Sequence, residues 1–218
     1  MAEVCYTTSM SSLFPNPPAT GHSLPATRPA DAVRAFLALR RSAGKRTLGP
    51  PGPSRDEIEA LLTVAMRVPD HRRLAPWRFL VFSGPERMGF TQHAEQIHRQ
   101  EQPDAGEKAF ADTRTAFERA PVVIALVSSP DRDHKTPVWE QELSTGAVGY
   151  NLLLATNAAG WAGCWLTEWL CYSPGIAKLI GLSSHERLAG FFYIGTATLD
   201  PQERMRPDPD AKVTFWAG

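Results

Sequence analysis

Helical spacing of apolar positions first shows at Asp31, an acidic residue placed to cap, where Val33, Phe36, Leu37 and Leu39 follow and lead into Arg40-Arg41-Ser42. A second helix starts at Ser54, which forms a capping box with Glu57, and Ile58, Leu61, Leu62, Ala65 and Met66 then fall at i, i+3, i+4, i+7 and i+8. Its predicted end lies near Val68, because Pro69 disfavours the α conformation in the residue before it. TLGPPGP at 47–53 reads as a turn, and WRFLVFSG at 77–84 as a strand that turns at Gly84-Pro85. Segments 85–100 and 104–119 are polar enough to be surface helices. PVVIALVSSP at 121–130 is a β-branched apolar run and predicts a buried strand; 138–159 predicts a helix buried on most sides, ended by Gly160 in a left-handed conformation. A strand or strand-to-loop passage (WAGCWLTEWL), a short helix from Pro174 and a strand at 190–197 follow.

Residues 1–29, rich in Ser, Thr and Pro, carry no apolar period and are expected to be a flexible N-terminal extension. Residues 30–218 then form a single α+β domain, helices around a small sheet. The proline-broken C-terminal tail ends in an apolar VTFW, predicted to add a strand to a partner's sheet.

Composition narrows the function classes. Lys plus Arg is 23 and Asp plus Glu is 23, so there is no global field to draw nucleic acid or an anionic membrane, and any positive site must be local. No apolar run approaches the roughly 20 residues needed to span a bilayer, and no signal peptide is evident. Three cysteines without CxxC spacing argue against a disulfide framework and a thiolate zinc site, and suggest a reducing, cytoplasmic compartment. GxSxG, GxxxxGK[ST] and GxGxxG are all absent. His93 and His98, five apart, would project about 140° from each other on a helix, too divergent for one metal.

What remains is a set of cations at element ends: Arg40 and Arg41 with Ser42, Lys45 and Arg46, Arg67 and His71, Arg204 and Arg206. Guanidinium groups beside a hydroxyl suit a phosphate. The same residues also suit plainer roles, a helix C-terminus for Arg40 and Arg41 or a solubilising tail for Arg204 and Arg206, and their types alone do not choose. Trp165 and Trp169 also suit plain core, and Cys164 in its apolar strand reads as a small buried hydrophobe and not a nucleophile.

Taken in order, RRS, GPS, RVPDH with PWRF, WEQELSTGA, CWLT, GFFYIGT and RPDP resemble the FMN-dependent nitroreductase family, most closely its YdjA-like branch, over residues 32 to 216. The resemblance implies a nitroreductase-like fold: a small, mainly antiparallel central sheet, and an intertwined homodimer whose C-terminal tail is exchanged between subunits. Arg40, Arg41 and Ser42 would then hold the FMN phosphate and ribityl region, with Arg204 and Arg206 as further phosphate partners. Arg67 and His71 would reach FMN from the other subunit, and Trp165, Leu166 and Thr167 would lie beside the isoalloxazine ring. Arg41 or Arg67 would supply positive charge at the flavin N1 and C2 edge, while Arg72 and Arg73 have no matched role and read as solvated charge. The implied reaction is ping-pong hydride transfer from NADH or NADPH, through FMN, to a small-molecule electron acceptor such as a nitroaromatic or quinone. Alternatives within the resemblance are an oxygen-using enzyme, for flavin fragmentation or dehalogenation, and a flavin-binding protein with little turnover. No catalytic side chain and no metal are implied, because the chemistry belongs to the cofactor.

Overall fold

Seven consecutive buried residues, Val122–Ser128, form strand β3, and two hydrophobic cores meet on it. The computed structural model describes residues 13–217. Side chains alternate across a strand, so Val123, Ala125 and Val127 enter one core while Val122, Ile124 and Leu126 enter the other. Strand β5, Arg187–Ala197, repeats the division, with Phe191 and Tyr193 on one side and Phe192 and Ile194 on the other. β1 (Leu48–Gly49), β2 (Trp77–Ser83) and β4 (Ala162–Leu166) complete a five-stranded antiparallel sheet of order β1-β5-β3-β2, with β4 also paired to β5.

Helices α2 (Arg55–Ala65) and α5 (Val138–Ala158) cover one face through Ile58, Leu61 and Leu152. On the other face lie α3 (Glu86–Glu101), with α4 (Glu107–Arg114) packed against it, and α6 (Pro174–Leu179). The expected α+β class and small antiparallel sheet are both present.

The capping box at α2 forms as predicted: the Ser54 hydroxyl accepts from the Glu57 N–H, and the Glu57 carboxylate accepts from the Ser54 N–H at 2.8 Å. The helix stops at Ala65, earlier than the position of Pro69 implies. Asn151 on α5 explains the difference, since its side-chain amide donates to the carbonyls of Val64 and Ala65 at 2.8 and 3.3 Å. Two other expectations need correction. Asp31 is not a cap: Ala30 holds that position without a side-chain bond, and Asp31 pairs with Arg34 inside α1 (Asp31–Leu39). The 47–53 turn begins as strand β1, held by β5. After Leu143 α5 is largely buried, as expected, with Trp139, Leu143 and Tyr150 exposed along one stripe. α1 buries none of its residues, and Val33, Leu37 and Leu39 are exposed.

The N-terminal stretch is read as an extension over residues 1–29, of which 1–12 lie outside the described residues, as does Cys5. Leu13 and Phe14 pack against the α2–α5 core. In the C-terminal tail, Val213, Phe215 and Trp216 are exposed and no strand forms among the described residues.

One ion pair gives the fold a readable pH dependence. Arg78 on β2 makes paired bonds of 2.7 and 2.8 Å to Glu186, which precedes β5, and these hold the Glu186 carboxyl down at about 2. The unfolded chain takes up this proton near the ordinary carboxylate pKa, so the pair's contribution is complete above about pH 5 and declines as pH falls toward about 2. Acid titration of the unfolding midpoint should therefore be shallower over this window in Glu186→Gln than in wild type; equal slopes would show the pair to be inert.

Candidate functional site

α1 ends at Arg40, whose backbone turns extended (φ −55°, ψ 131°) and sends the chain along β4. The Ala43 N–H donates to the Gly163 carbonyl at 3.0 Å, so Arg40, Arg41 and Ser42 lie half-buried beside the outer edge of that strand. The Arg40 guanidinium sits 5.7 Å from the ring centroid of Tyr150, yet its Nη1 is buried with no hydrogen-bond partner among the described residues. A buried donor left so costs about 1–3 kcal/mol.

Arg41 is drawn to the tail. Its Nε donates to the Gln202 carbonyl at 3.0 Å and lies 3.8 Å from the Glu203 carboxylate. Arg206 approaches the same carboxylate at 3.0 Å and the Arg204 N–H donates to it at 2.7 Å. The bond from Arg204 first, and then the charges of Arg206 and Arg41, pull the Glu203 carboxyl below its usual range. The structure thus gathers the side chains of Arg41 and Arg206, far apart in sequence, around one anionic group that the chain itself supplies, with Arg204 adding its main-chain N–H.

The second segment follows β4. Trp165 stacks on Phe192 with ring centroids 5.0 Å apart, and its indole N–H donates to the Ala189 carbonyl at 3.0 Å. That carbonyl is free because the β3–β5 register slips there, Leu126 facing Gly190 and Val127 facing Leu188, which leaves Ala189 out of the ladder. Leu166 joins the α3-side core and Thr167 is exposed as the strand ends. A hollow of about 300 Å³ opens there, lined by Thr167, Ser128, Glu142, Gly146, Tyr172 and Arg187 among others. Gly163 and Thr167 are four residues apart, about 13 Å along an extended strand, so the RRS segment and the hollow flank a path suited to an elongated ligand.

Glu168, next in the chain, holds φ +43° and bridges Lys45 and Arg119, each at 2.7 Å. Burial alone would raise its carboxyl pKa, but Lys45 and Arg119 hold it below the usual range. Lys45 is therefore committed, and Arg46 lies 3.4 Å from Asp112. Sequence reading passed over Glu168; its signal was an acid inside the apolar run WLTEWL. It also passed over Tyr150 and Glu203, whose roles depend on contacts distant in sequence.

Arg67 and His71 lie apart from the first cluster. Their turn is fixed from α5: Ser144 donates to the Pro69 carbonyl at 2.6 Å and Thr145 to the Pro76 carbonyl at 2.9 Å, while Asp70 accepts from the N–H groups of Leu74 and Ala75. RVPDH and WEQELST thus form one unit. His71 Nδ1 lies 2.6 Å from Glu140, at the start of the same helix. Arg72 and Arg73 are exposed, as expected of solvated charge, and Arg72 also donates to the buried Thr136 hydroxyl at 3.0 Å; they have φ of +66° and +57°. Arg67 is exposed at the end of α2 and lines a larger hollow.

Burial pushes the Cys164 thiol up to about 11 and Cys171 up to about 12, so neither provides a thiolate near neutrality. Among the described residues there is no cluster of metal-ligating side chains, and no helix long and apolar enough to cross a membrane.

Comparison with known proteins gives consistent matches. The model of the nitroreductase family matches residues 37–196. The Escherichia coli K12 protein named "Putative NAD(P)H nitroreductase YdjA" is 34% identical over 182 residues, 83% of this chain and 97% of that protein. A nitroreductase-like family protein from Bacillus cereus superposes with a TM-score of 0.74 at 22% identity, covering 88% of this chain and all of the other. The FMN-dependent nitroreductase NfnB from Mycobacterium smegmatis, solved with NADPH, superposes at 0.68 with 16% identity, covering 85% of this chain and 98% of its own; at such identity it speaks to fold alone.

Proposed function

Since the chain belongs to the nitroreductase family of oxidoreductases, we propose that it binds FMN and moves a hydride from NADH or NADPH to a nitroaromatic or quinone-like acceptor in a ping-pong cycle. The observation that carries this reading is the buried Nη1 of Arg40, a desolvated cationic donor awaiting an acceptor, beside arginines already drawn to an anion. An FMN phosphate fits that donor set: Arg40 and Arg41 supply charge-assisted bonds, Ser42 a hydroxyl, and Arg204 and Arg206 a flank in which the Arg206 guanidinium and the Arg204 main-chain N–H now hold Glu203.

FMN, when bound, supplies the hydride-accepting and hydride-donating centre. The protein's share is to place and shelter it. Trp165, fixed by its bond to Ala189 and its stack on Phe192, gives the ring side of the site a rigid wall, and Thr167 stands at the hollow where an acceptor would enter. In this reading Arg67 and His71 come from a second copy, and Arg41 or Arg67 places a fixed cation where reduction adds negative charge. A homodimer is supported by the exposed apolar residues of α1 and α5 together with Phe215 and Trp216, a set that a second copy with an exchanged tail would cover. The free Cys164 and Cys171 accord with a cytoplasmic setting.

The test uses protein incubated with FMN and freed of excess. It should be yellow, run as a dimer in light scattering, and oxidise NADH or NADPH faster when a nitroaromatic is added. Protein that retains no flavin overturns the reading; yellow protein without acceptor-dependent turnover reduces it to flavin binding.

A further inference from the structure

Outside the 72–75 turn, Glu168 is the one non-glycine among the described residues with a positive φ. Its backbone stands at φ +43° and ψ −174°, which glycine adopts freely and a residue with a Cβ adopts only under strain. Such a conformation persists where the surroundings over-determine it, and here the side chain supplies the restraint. One Glu168 oxygen accepts from Lys45 Nζ at 2.7 Å, and Arg119 Nη1 lies 3.0 and 2.7 Å from the two carboxylate oxygens. Arg119 is itself fixed: only 11% of its side chain is exposed, and its Nη2 donates to the Asp112 carbonyl at 3.3 Å.

The clamp joins two segments 123 positions apart. Lys45 follows closely on Ser42, and Glu168 directly follows Thr167. The Ala43 N–H bond to the Gly163 carbonyl at 3.0 Å already ties the same two segments. One bond acts as a pivot; a second, displaced along both chains, fixes the angle between them. Lys45 keeps 44% of its side chain exposed, and such a pair is weak alone, so the rigidity comes from Arg119 behind the carboxylate. Held by two cations, that carboxylate stays ionised near neutrality and has no proton to transfer, which leaves position as its use. Given Arg40, Arg41 and Ser42 as the phosphate end of the flavin site and Trp165, Leu166 and Thr167 as its ring end, the reading on which this rests, we propose that Glu168 is a positioning residue. It sets the distance and angle between the two ends, so that one ligand of fixed length engages both at once. The gain is in effective concentration: once the ring is seated, the phosphate meets donors already placed at its reach.

The experiment titrates FMN and riboflavin, which share the ring and ribityl chain and differ in the phosphate, into the full chain freed of bound flavin. The variants are Glu168→Gln, Lys45→Gln and the two combined. Wild type should prefer FMN by about a hundredfold or more, as charge-assisted bonds to a phosphate imply. Glu168→Gln should lower that preference by roughly tenfold through weaker FMN binding, with the affinity for riboflavin kept, because Trp165 is seated by its own bonds to Ala189 and Phe192. Lys45→Gln should lower the preference in the same direction, and the double variant should match Glu168→Gln, since both changes break one tie. Hydrogen exchange on the flavin-free proteins should be faster at residues 43–47 in both single variants and unchanged in β3, which separates a loosened loop from a weakened fold. A preference untouched by Glu168→Gln, or affinities for the two flavins that fall together, overturns the proposal and makes the clamp merely structural. Losses that add in the double variant also overturn it, because Lys45 then acts on the phosphate by itself. The flavin reading survives all three results; wild type that binds neither flavin, or binds both equally, removes that reading instead.

Discussion

Protein carrying Arg40→Ala with Ser42→Ala, incubated with FMN and passed over a desalting column, should emerge colourless where wild type emerges yellow. Each bond from a charged donor is worth about 1.5–3 kcal/mol and a neutral one about 1, so losing the Arg40 donors and the Ser42 hydroxyl should weaken FMN binding by about a hundredfold or more. The apo proteins provide the control that separates binding from folding. In wild type the Arg40 Nη1 is buried without a partner, so its removal takes away an unmet desolvation cost. The denaturation midpoint of the apo double variant should therefore be no lower than that of apo wild type, apart from the modest loss of packing over Tyr150. A double variant that stays fully yellow would remove RRS from the flavin site.

Gly190→Ala should cost the most stability of any single-methyl addition in the sheet. A Cβ at this position would collide with the Trp165 indole, and it would approach the Leu166 carbonyl to 3.0 Å. The residue also stands at φ +153° beside the register slip, where the backbone already departs from the ladder. To admit the methyl group, Trp165 must leave its place against Phe192 and give up its bond to the Ala189 carbonyl. Overpacking of this kind costs roughly 1–3 kcal/mol, and breaking the indole bond adds about 1 more. The chemical-denaturation midpoint should fall accordingly, with a shift of tryptophan emission in the folded state. Because Trp165 is also the wall proposed for the ring, flavin affinity should fall with it. An unchanged midpoint with unchanged emission would mean that the indole is not seated as described.

These two sites differ in how far they could be read from the chain. RRS stood out because three polar groups end a helix pattern, but the orphaned Arg40 donor is visible only once α5 brings Tyr150 beneath it. Gly190 gave no signal at all, since the need for glycine comes from Trp165, 25 positions earlier, and from a slip in register that no local pattern encodes. The same division holds for the fold. Ser54 with Glu57 and the apolar run of β3 are local statements and were legible as such. The end of α2 was set by Asn151, and β1 by its pairing with β5, so both were missed for want of a distant partner. The acidic Glu168, clamped by Lys45 and Arg119, shows the limit most plainly: each residue is ordinary in sequence and the trio exists only in three dimensions.

Glu203 has one more bearing on how the protein would be loaded with cofactor. Its carboxylate is covalently tethered near Arg206 and faces Arg41, so it meets these two guanidinium groups at a fixed local concentration that dilution cannot lower. A phosphate arriving from solution competes with an internal counter-ion, and only the fraction of molecules in which that carboxylate has swung away is open to it. The affinity seen from outside is then the intrinsic one reduced by the fraction of molecules so opened, and the empty protein is spared the repulsion of Arg41 and Arg206 until a better anion arrives.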